Sequence, residues 1–385
     1  MITTNLNEKY IAVRQLSETI CEPLETEDYV PQPVPFVSPP KWHLAHSTWF
    51  FETFILKPFD PEYVVFDEAF NFLFNSYYNN IGERTLRTDR GNVTRPTIKS
   101  VYQYRHYVDT HMLKLLSSVS IDKVIPLVEL GLQHEQQHQE LMITDIKYIL
   151  GHNPLFPVYK SGNNLLNGRN HDTGFVGIQE GVYEIGHEGN GFCFDNELGR
   201  HKAYIQNFEI SKSLVTNAEF LEFMEAGGYQ DFNLWLDAGW SWVNSNDINS
   251  PLYWHKIEGE WFYFTLAGLE KVDPDAILSH ISFFEAAAFA QWKGMRLPTE
   301  FEWEVAAEQL HWGQRWEWTN SSYLPYPGFA KAPGAVGEYN GKFMINQMVL
   351  RGASVATSPD HSRKTYRNFF QTHERWQYTG IRLVK

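Results

Sequence analysis

The chain has 385 residues, too many for one ordinary hydrophobic core, so two domains are expected. Its formal net charge of −14, with histidines neutral, argues against a general nucleic-acid role, which needs a basic face. Cys21 and Cys193, the two cysteines, are too far apart in sequence for a disulfide scaffold or a zinc knuckle. No apolar run reaches membrane-spanning length, and MITTNLNEKYIAVRQLSETI lacks the basic flank and apolar core of a secretory leader. A soluble cytoplasmic protein is therefore expected.

The pattern predicts an amphipathic helix over residues 8–24, with Tyr10, Ile11, Val13, Leu16 and Ile20 on its apolar side. A proline-rich loop, PQPVPFVSPP, follows. PKWHLAHSTWFFETFIL reads as a second helix with Trp42, Ala45, Trp49 and Phe50 facing inward. His43 and His46 lie one turn apart on it, and either alone reads as a packed or surface residue. Residues 66–80 end in the pair Tyr77-Tyr78. The loop-like IGERTLRTDRGNVTRPT carries Arg84, Arg87, Arg90 and Arg95. Such a run is ordinarily solvated, but guanidinium groups also clamp carboxylates in bidentate fashion. A third helix is expected from Thr97 to Leu116.

The fourth helix carries His134-Glu-Gln-Gln-His138. Ser120 or Asp122 can cap it, Pro126 suits its first turn, and Gly151 and Pro154 mark its end. Leu127, Leu130, His134, His138, Leu141 and Asp145 fall on one stripe, so the two imidazoles occupy the inward face one turn apart. A buried neutral imidazole needs its nitrogens satisfied, by a shared metal ion or by structural hydrogen bonds. Four helices with a long crossover between the second and third suggest a four-helix bundle, a fold that holds metal sites with side chains from facing helices.

From about residue 155 the texture changes. A Gly/Asn-rich linker precedes short alternating runs such as GVYEIG and HKAYIQNFEIS, which read as strands. Capping boxes predict short helices starting near Thr216 with Glu219, Ser282 with Glu285, and Thr299 with Glu302. The stretches between, DAGWSWVNSN and WHKIEGEWFYF among them, are expected as loops. The whole is expected to be α+β in two domains, a helical bundle over 1–155 and a mixed, loop-rich domain over 156–385.

PKWHLAHSTWFFE, LFNSYY and HEQQHQELMITDIKYIL resemble the N-terminal DinB-like bundle of the ergothioneine-biosynthesis sulfoxide synthases (EgtB-like). VTNAEFLEFMEAGGY, MRLPTEFEWEVAA, RWEWTNSSYLPYPGF and VLRGASVATSPDHSRKTYRNFFQTHERWQYTGIRL resemble that family's C-terminal domain, which has the formylglycine-generating-enzyme, C-type-lectin-like fold. The resemblance implies a mononuclear non-haem Fe(II) held by His46, His134 and His138, with positions left open for O2 and a thiolate. It implies an oxidoreductase that joins a cysteine-type thiol to C2 of the imidazole of hercynine, O2 supplying the sulfoxide oxygen. Gln137 matches a residue that contacts the substrate imidazole. Asn368 matches one near the trimethylammonium and carboxylate, and Phe369 stands where the family often has Trp, a cation–π partner for a quaternary ammonium. For Gln137 and Phe369 the residues alone suggest an ordinary polar helix position and core packing.

Two departures from the family pattern bear on chemistry. Some members carry a catalytic tyrosine in the C-terminal domain, three residues before another. In AVGEYNGKF Tyr339 fits the second position, but Val336 stands at the first. Other members use bundle tyrosines, which points to Tyr78, with Tyr77 as close alternative, as proton donor. Phe370 stands where members selecting γ-glutamylcysteine have an acid, which favours free cysteine, its carboxylate taken by Arg87 or Arg90. Competing readings are a selenoneine synthase taking a selenosugar on hercynine, a thiol-oxidising formylglycine-generating enzyme, and a non-catalytic binding protein. The formylglycine-generating chemistry requires C-terminal cysteines, and only Cys193 is there.

Overall fold

Proline placement fixes where several helices of the bundle start and stop. In the structure, a computed structural model that describes residues 2–76, 78, 82–117, 123–162, 164–331 and 340–385, α1 spans Ile2–Cys21. It ends short of residue 24 because Pro23 disfavours helical backbone at Glu22. Helix α2 (Pro40–Phe51) begins with a proline in its first turn, where the missing N–H costs nothing. It continues through a π turn at Glu52–Leu56 into the short α3 (Lys57–Phe59). A single-turn helix, α4 (Ala69–Phe74), lies in the crossover. Helix α5 (Ile98–Leu116) is capped by the Thr97 hydroxyl, which accepts from Ser100 N–H at 3.2 Å. Helix α6 (Ile125–Gly151) carries Pro126 in its first turn and has Val124 as N-cap, with no side-chain cap. Ser120 and Asp122, read as its cap, lie outside the described residues, as do Tyr77, Val336 and Tyr339.

Helix α2 packs against α5 and α6, and α1 packs against the same two. Every residue of α2 is buried, so the helix read as one-sided is covered all round. Gly131 on α6 lets α2 come close. A methyl group there would lie 2.7 Å from the Phe51 ring and 3.0 Å from that of Phe50. That close approach faces α6 with the side of α2 that carries His46. The segment Thr357–His361 belongs to this same compact unit, which among the described residues otherwise comprises the chain up to Lys160.

The second unit holds the remaining described residues. Strands β1 (Phe175–Ile178), β2 (Gly181–Ile185), β3 (His201–Ile205) and β4 (Phe208–Ser211) form two antiparallel pairs, β1 with β4 and β2 with β3. After α7 (Asn217–Glu225) and α8 (Asp237–Ser245) comes the meander β5 (Trp254–Ile257), β6 (Glu260–Thr265) and β7 (Gly268–Lys271). Helices α9 (Phe283–Trp292) and α10 (Glu300–Ala306) precede β8 (Trp316–Ser322), β9 (Gln347–Gly352), β10 (Asn368–Gln371) and β11 (Thr379–Gly380). These last four form a sheet in the order β10-β9-β8-β11, with β11 parallel to β8.

The capping boxes at Thr216, Ser282 and Thr299 form as read. Two stretches read as loops are ordered elements instead. DAGWSWVNSN makes α8, which places Gly239 beneath the Phe284 ring. WHKIEGEWFYF is the β5–β6 hairpin, turned by Glu258 (φ 50°) and Gly259 (φ +88°). Positive φ at both central positions is the hairpin-favoured turn, written here with Glu-Gly rather than the usual Asn-Gly. Long loops survive in this core because buried arginines satisfy their carbonyls. Arg382, fully buried, pairs with Glu317 at 2.6 and 2.7 Å and donates to Ser211, Lys212 and His311 carbonyls. Arg367 is held the same way by Glu300 and donates to the Asn196 and Leu324 carbonyls.

Candidate metal centre

His46 on α2 and His134 and His138 on α6 converge. One ring nitrogen from each lies within 4.8 Å of the other two. His46 and His134 are buried and His138 half-buried. Aromatic rings wall the cluster. Trp42 and Trp49 stack on His46 with centroids at 4.5 and 5.6 Å, and Phe50 lies 4.9 Å from His134. The apolar wall keeps the imidazoles neutral. Burial lowers His134 to about 4, against the pull of neighbouring Glu135. Burial, then the nearby histidines, hold His46 and His138 well below the usual histidine value. Neutral imidazoles are the metal-binding form.

The hydrogen bonds fit the cluster to a metal ion. His46 Nδ1 lies 2.6 Å from the Phe74 carbonyl at the end of α4. A carbonyl only accepts, so Nδ1 carries the proton and the Nε2 lone pair is left for an ion. His138 Nδ1 lies 2.8 Å from His43 Nδ1, and His43 Nε2 lies 3.0 Å from Asp145 Oδ2. Three neutral imidazoles of this kind suit iron or zinc.

Around the cluster, Gln137 is half-buried on α6 next to His138. Tyr78 is buried with its ring 5.5 Å from Trp49 and 5.0 Å from Phe54, one ring removed from His46. Arg90 is buried. Its guanidinium stacks 3.3 Å over the Trp42 ring and donates to Ser38 Oγ at 2.8 Å. Arg87 is exposed and donates to the Phe36 carbonyl.

Behind the histidines, α6 is fixed from two sides. Glu135 accepts from Arg14 at 2.7 Å, Arg105 at 3.1 Å and Ser17 at 2.6 Å, all buried. Gln133, Gln136, Gln139 and Glu140 bond to His361, the Pro359 carbonyl, Ser358 and Thr357 of the Thr357–His361 strap. In the second unit, Asn368 opens β10 and its Oδ1 accepts from Phe369 N–H. The Phe369 ring stacks on Tyr323 at 4.0 Å, and Phe370 meets Trp376 edge-on at 5.3 Å.

The chain matches the DinB superfamily over residues 9–142 and the sulfatase-modifying factor enzyme 1-like domain over residues 163–314. It is 27% identical over 407 residues to the hercynine oxygenase of Mycolicibacterium thermoresistibile, covering 91% of this chain and 88% of that protein. Identity to the hercynine oxygenase of Mycolicibacterium smegmatis is also 27%, covering 91% of each. A formylglycine-generating enzyme of Streptomyces coelicolor is 30% identical over 158 residues, 38% of this chain and half of that enzyme. Fold and sequence together define a two-domain oxidoreductase, a DinB-type bundle followed by a sulfatase-modifying-factor-type α+β domain. Both domain matches and the alignment over nine-tenths of the chain fit the EgtB-like family of ergothioneine-biosynthesis sulfoxide synthases. Among its described residues no helix is long and apolar enough to cross a membrane.

Proposed function

We propose that the chain is an iron(II)- and O2-dependent sulfoxide synthase that joins cysteine to C2 of the hercynine imidazole. The observation that carries this reading is the cluster of His46, His134 and His138, in a chain that aligns over nine-tenths of its length with hercynine oxygenases. Forming C–S from C–H and S–H takes two electrons, and oxidising the sulfide to the sulfoxide takes two more. Those four reduce O2 to one sulfoxide oxygen and one water. Bound at the three histidines, iron(II) would supply the one-electron chemistry that O2 use requires.

The chain's own residues hold the substrates and move protons. Gln137, beside His138, would bond the hercynine imidazole, and Asn368 and Phe369 would take its carboxylate and trimethylammonium ends. Arg90 is committed to Trp42 and Ser38, which supports giving the cysteine carboxylate to Arg87, whose fork has donors beyond the one on Phe36. The apolar Phe370 offers the ammonium of a γ-glutamyl group no partner. The Tyr78 hydroxyl, with Tyr77 as the other candidate, would donate the proton that O2 reduction consumes. A cytoplasmic setting, where Cys21 and Cys193 stay thiols, suits such a pathway.

The test is turnover. Iron is loaded anaerobically, and hercynine, O2 and either cysteine or γ-glutamylcysteine are added, with products read by mass spectrometry. A sulfoxide adduct with cysteine is expected. Adduct with γ-glutamylcysteine alone would overturn the choice of thiol, and none with either would redirect the search to a selenium donor. In the same assay Tyr78→Phe is expected to slow product formation about 100-fold or more, the usual worth of a placed general acid, with iron binding unchanged. Undiminished turnover would move the role to Tyr77.

A further inference from the structure

His43, which from sequence alone reads as a packed or surface residue, is buried one turn before His46. In the structure it lies between a ligand candidate and a carboxylate. Its Nδ1 is 2.8 Å from His138 Nδ1 and its Nε2 is 3.0 Å from Asp145 Oδ2. Only one direction of proton placement fits. Asp145 Oδ2 also takes the Ser38 N–H at 2.8 Å, and a carboxylate oxygen only accepts. His43 therefore carries its proton on Nε2 and donates to Asp145. Its Nδ1 is then a lone pair, which obliges His138 to donate from Nδ1. The His138 Nε2 lone pair is left pointing away from the relay.

We infer that His43 and Asp145 are positioning residues, a relay that fixes the tautomer and ring orientation of His138 for metal binding. The inference rests on the metal reading above and adds to it a reason why His138 ligates through Nε2. Asp145 is itself held. The loop residue Ser38 gives it a backbone N–H, and Ser38 Oγ is fixed in turn by Arg90, whose guanidinium lies on Trp42. The chain from Asp145 through His43 to His138 thus repeats, with an extra imidazole, the carboxylate–histidine–metal arrangement that orients metal-binding histidines. At His46 the same task falls to the Phe74 carbonyl.

The competing explanation is that His43 merely fills and satisfies the core, in which case its loss costs stability and leaves a folded chain's metal affinity alone. The test uses Co(II), whose visible bands report on its ligands, with the metal-free full chain. His43→Phe keeps a ring and removes both nitrogens. His43→Gln supplies an amide oxygen to accept from His138 and an amide N–H to donate to Asp145. Co(II) affinity is expected to fall on the order of 10- to 100-fold in His43→Phe, with altered visible bands, and to recover most of the way in His43→Gln. Wild-type affinity and bands in His43→Phe would overturn the relay alone. An equal loss in both variants would overturn it too, because the amide preserves the hydrogen bonds. Failure of the unaltered chain to bind Co(II) or Fe(II) would overturn the metal centre and the relay together.

Discussion

Fe(II) binding by the full chain is expected to fall by more than about 100-fold in His134→Ala, and sulfoxide formation with it. Removing a group that only orients a ligand costs 10- to 100-fold in affinity, so deleting one of three proposed ligands should cost more. Two imidazoles would remain, on different helices, and among the described residues no carboxylate joins the cluster to replace the third. The metal-free variant separates this reading from a structural one. Three neutral imidazoles packed among Trp42, Trp49 and Phe50 are a burden on the empty fold, since burial opposes their charging and their desolvation is costly. Metal-free His134→Ala should therefore unfold within about 1 kcal/mol of the parent. A loss of 1–3 kcal/mol with Fe(II) binding intact would mean that the histidines serve as hydrogen-bonded core, the non-catalytic alternative.

The bundle was legible because its signals are local. Periodicity, Thr97, Pro40 and Pro126 set helices where the structure has them. The spacing of His134 and His138 placed both on one face of α6, but bringing His46 to them took the family resemblance, since no spacing rule links α2 to α6. What went unread depends on partners distant in sequence. Asp145 was on the same stripe as His138, and an acid on the inward face of an apolar helix is itself a signal of a buried partner. That partner, His43, is 102 residues away, and the packing of α2 on α6 brings it there. The Thr357–His361 strap is similar. Its bonds to α6 span more than two hundred residues, and TSPDH carries no periodic pattern. In the second unit the Glu258-Gly259 turn was missed because Glu replaces the familiar Asn or Asp, and α8 because DAGWSW reads as turn-rich.

Glu135→Gln is expected to destabilise the metal-free chain by about 3 kcal/mol at neutral pH. The carboxylate is buried beside His134, where burial alone would raise its pKa. The guanidiniums of Arg14 and Arg105, with the Ser17 hydroxyl, overcome that and hold it at about 2. Removing one partner of a buried charge network costs about 3–5 kcal/mol, because the cations left behind stay desolvated. The displacement from 4.5 to about 2 gives a similar size, about 3 kcal/mol at about 1.4 kcal/mol per pH unit. Because folding depresses this pKa, the stabilisation is complete above about pH 4.5 and is lost as pH falls through about 2. The gap between parent and Glu135→Gln should therefore close on acidification. In a chelator-treated sample at pH 7 the first unfolding transition should drop on the order of 10 °C. A gap that persists unchanged at pH 2, or one below about 1 kcal/mol at pH 7, would rule the network out as a source of bundle stability. The network also bears on the metal site. Arg14 on α1 and Arg105 on α5 both grip α6 at Glu135, one residue past His134. Together with the strap on Gln133, Gln136 and Gln139 they set the rotation of α6 about its axis, which turns His134 and His138 toward His46. Metal affinity in Glu135→Gln is expected to weaken along with the fold, whereas in His43→Phe it weakens with the fold retained.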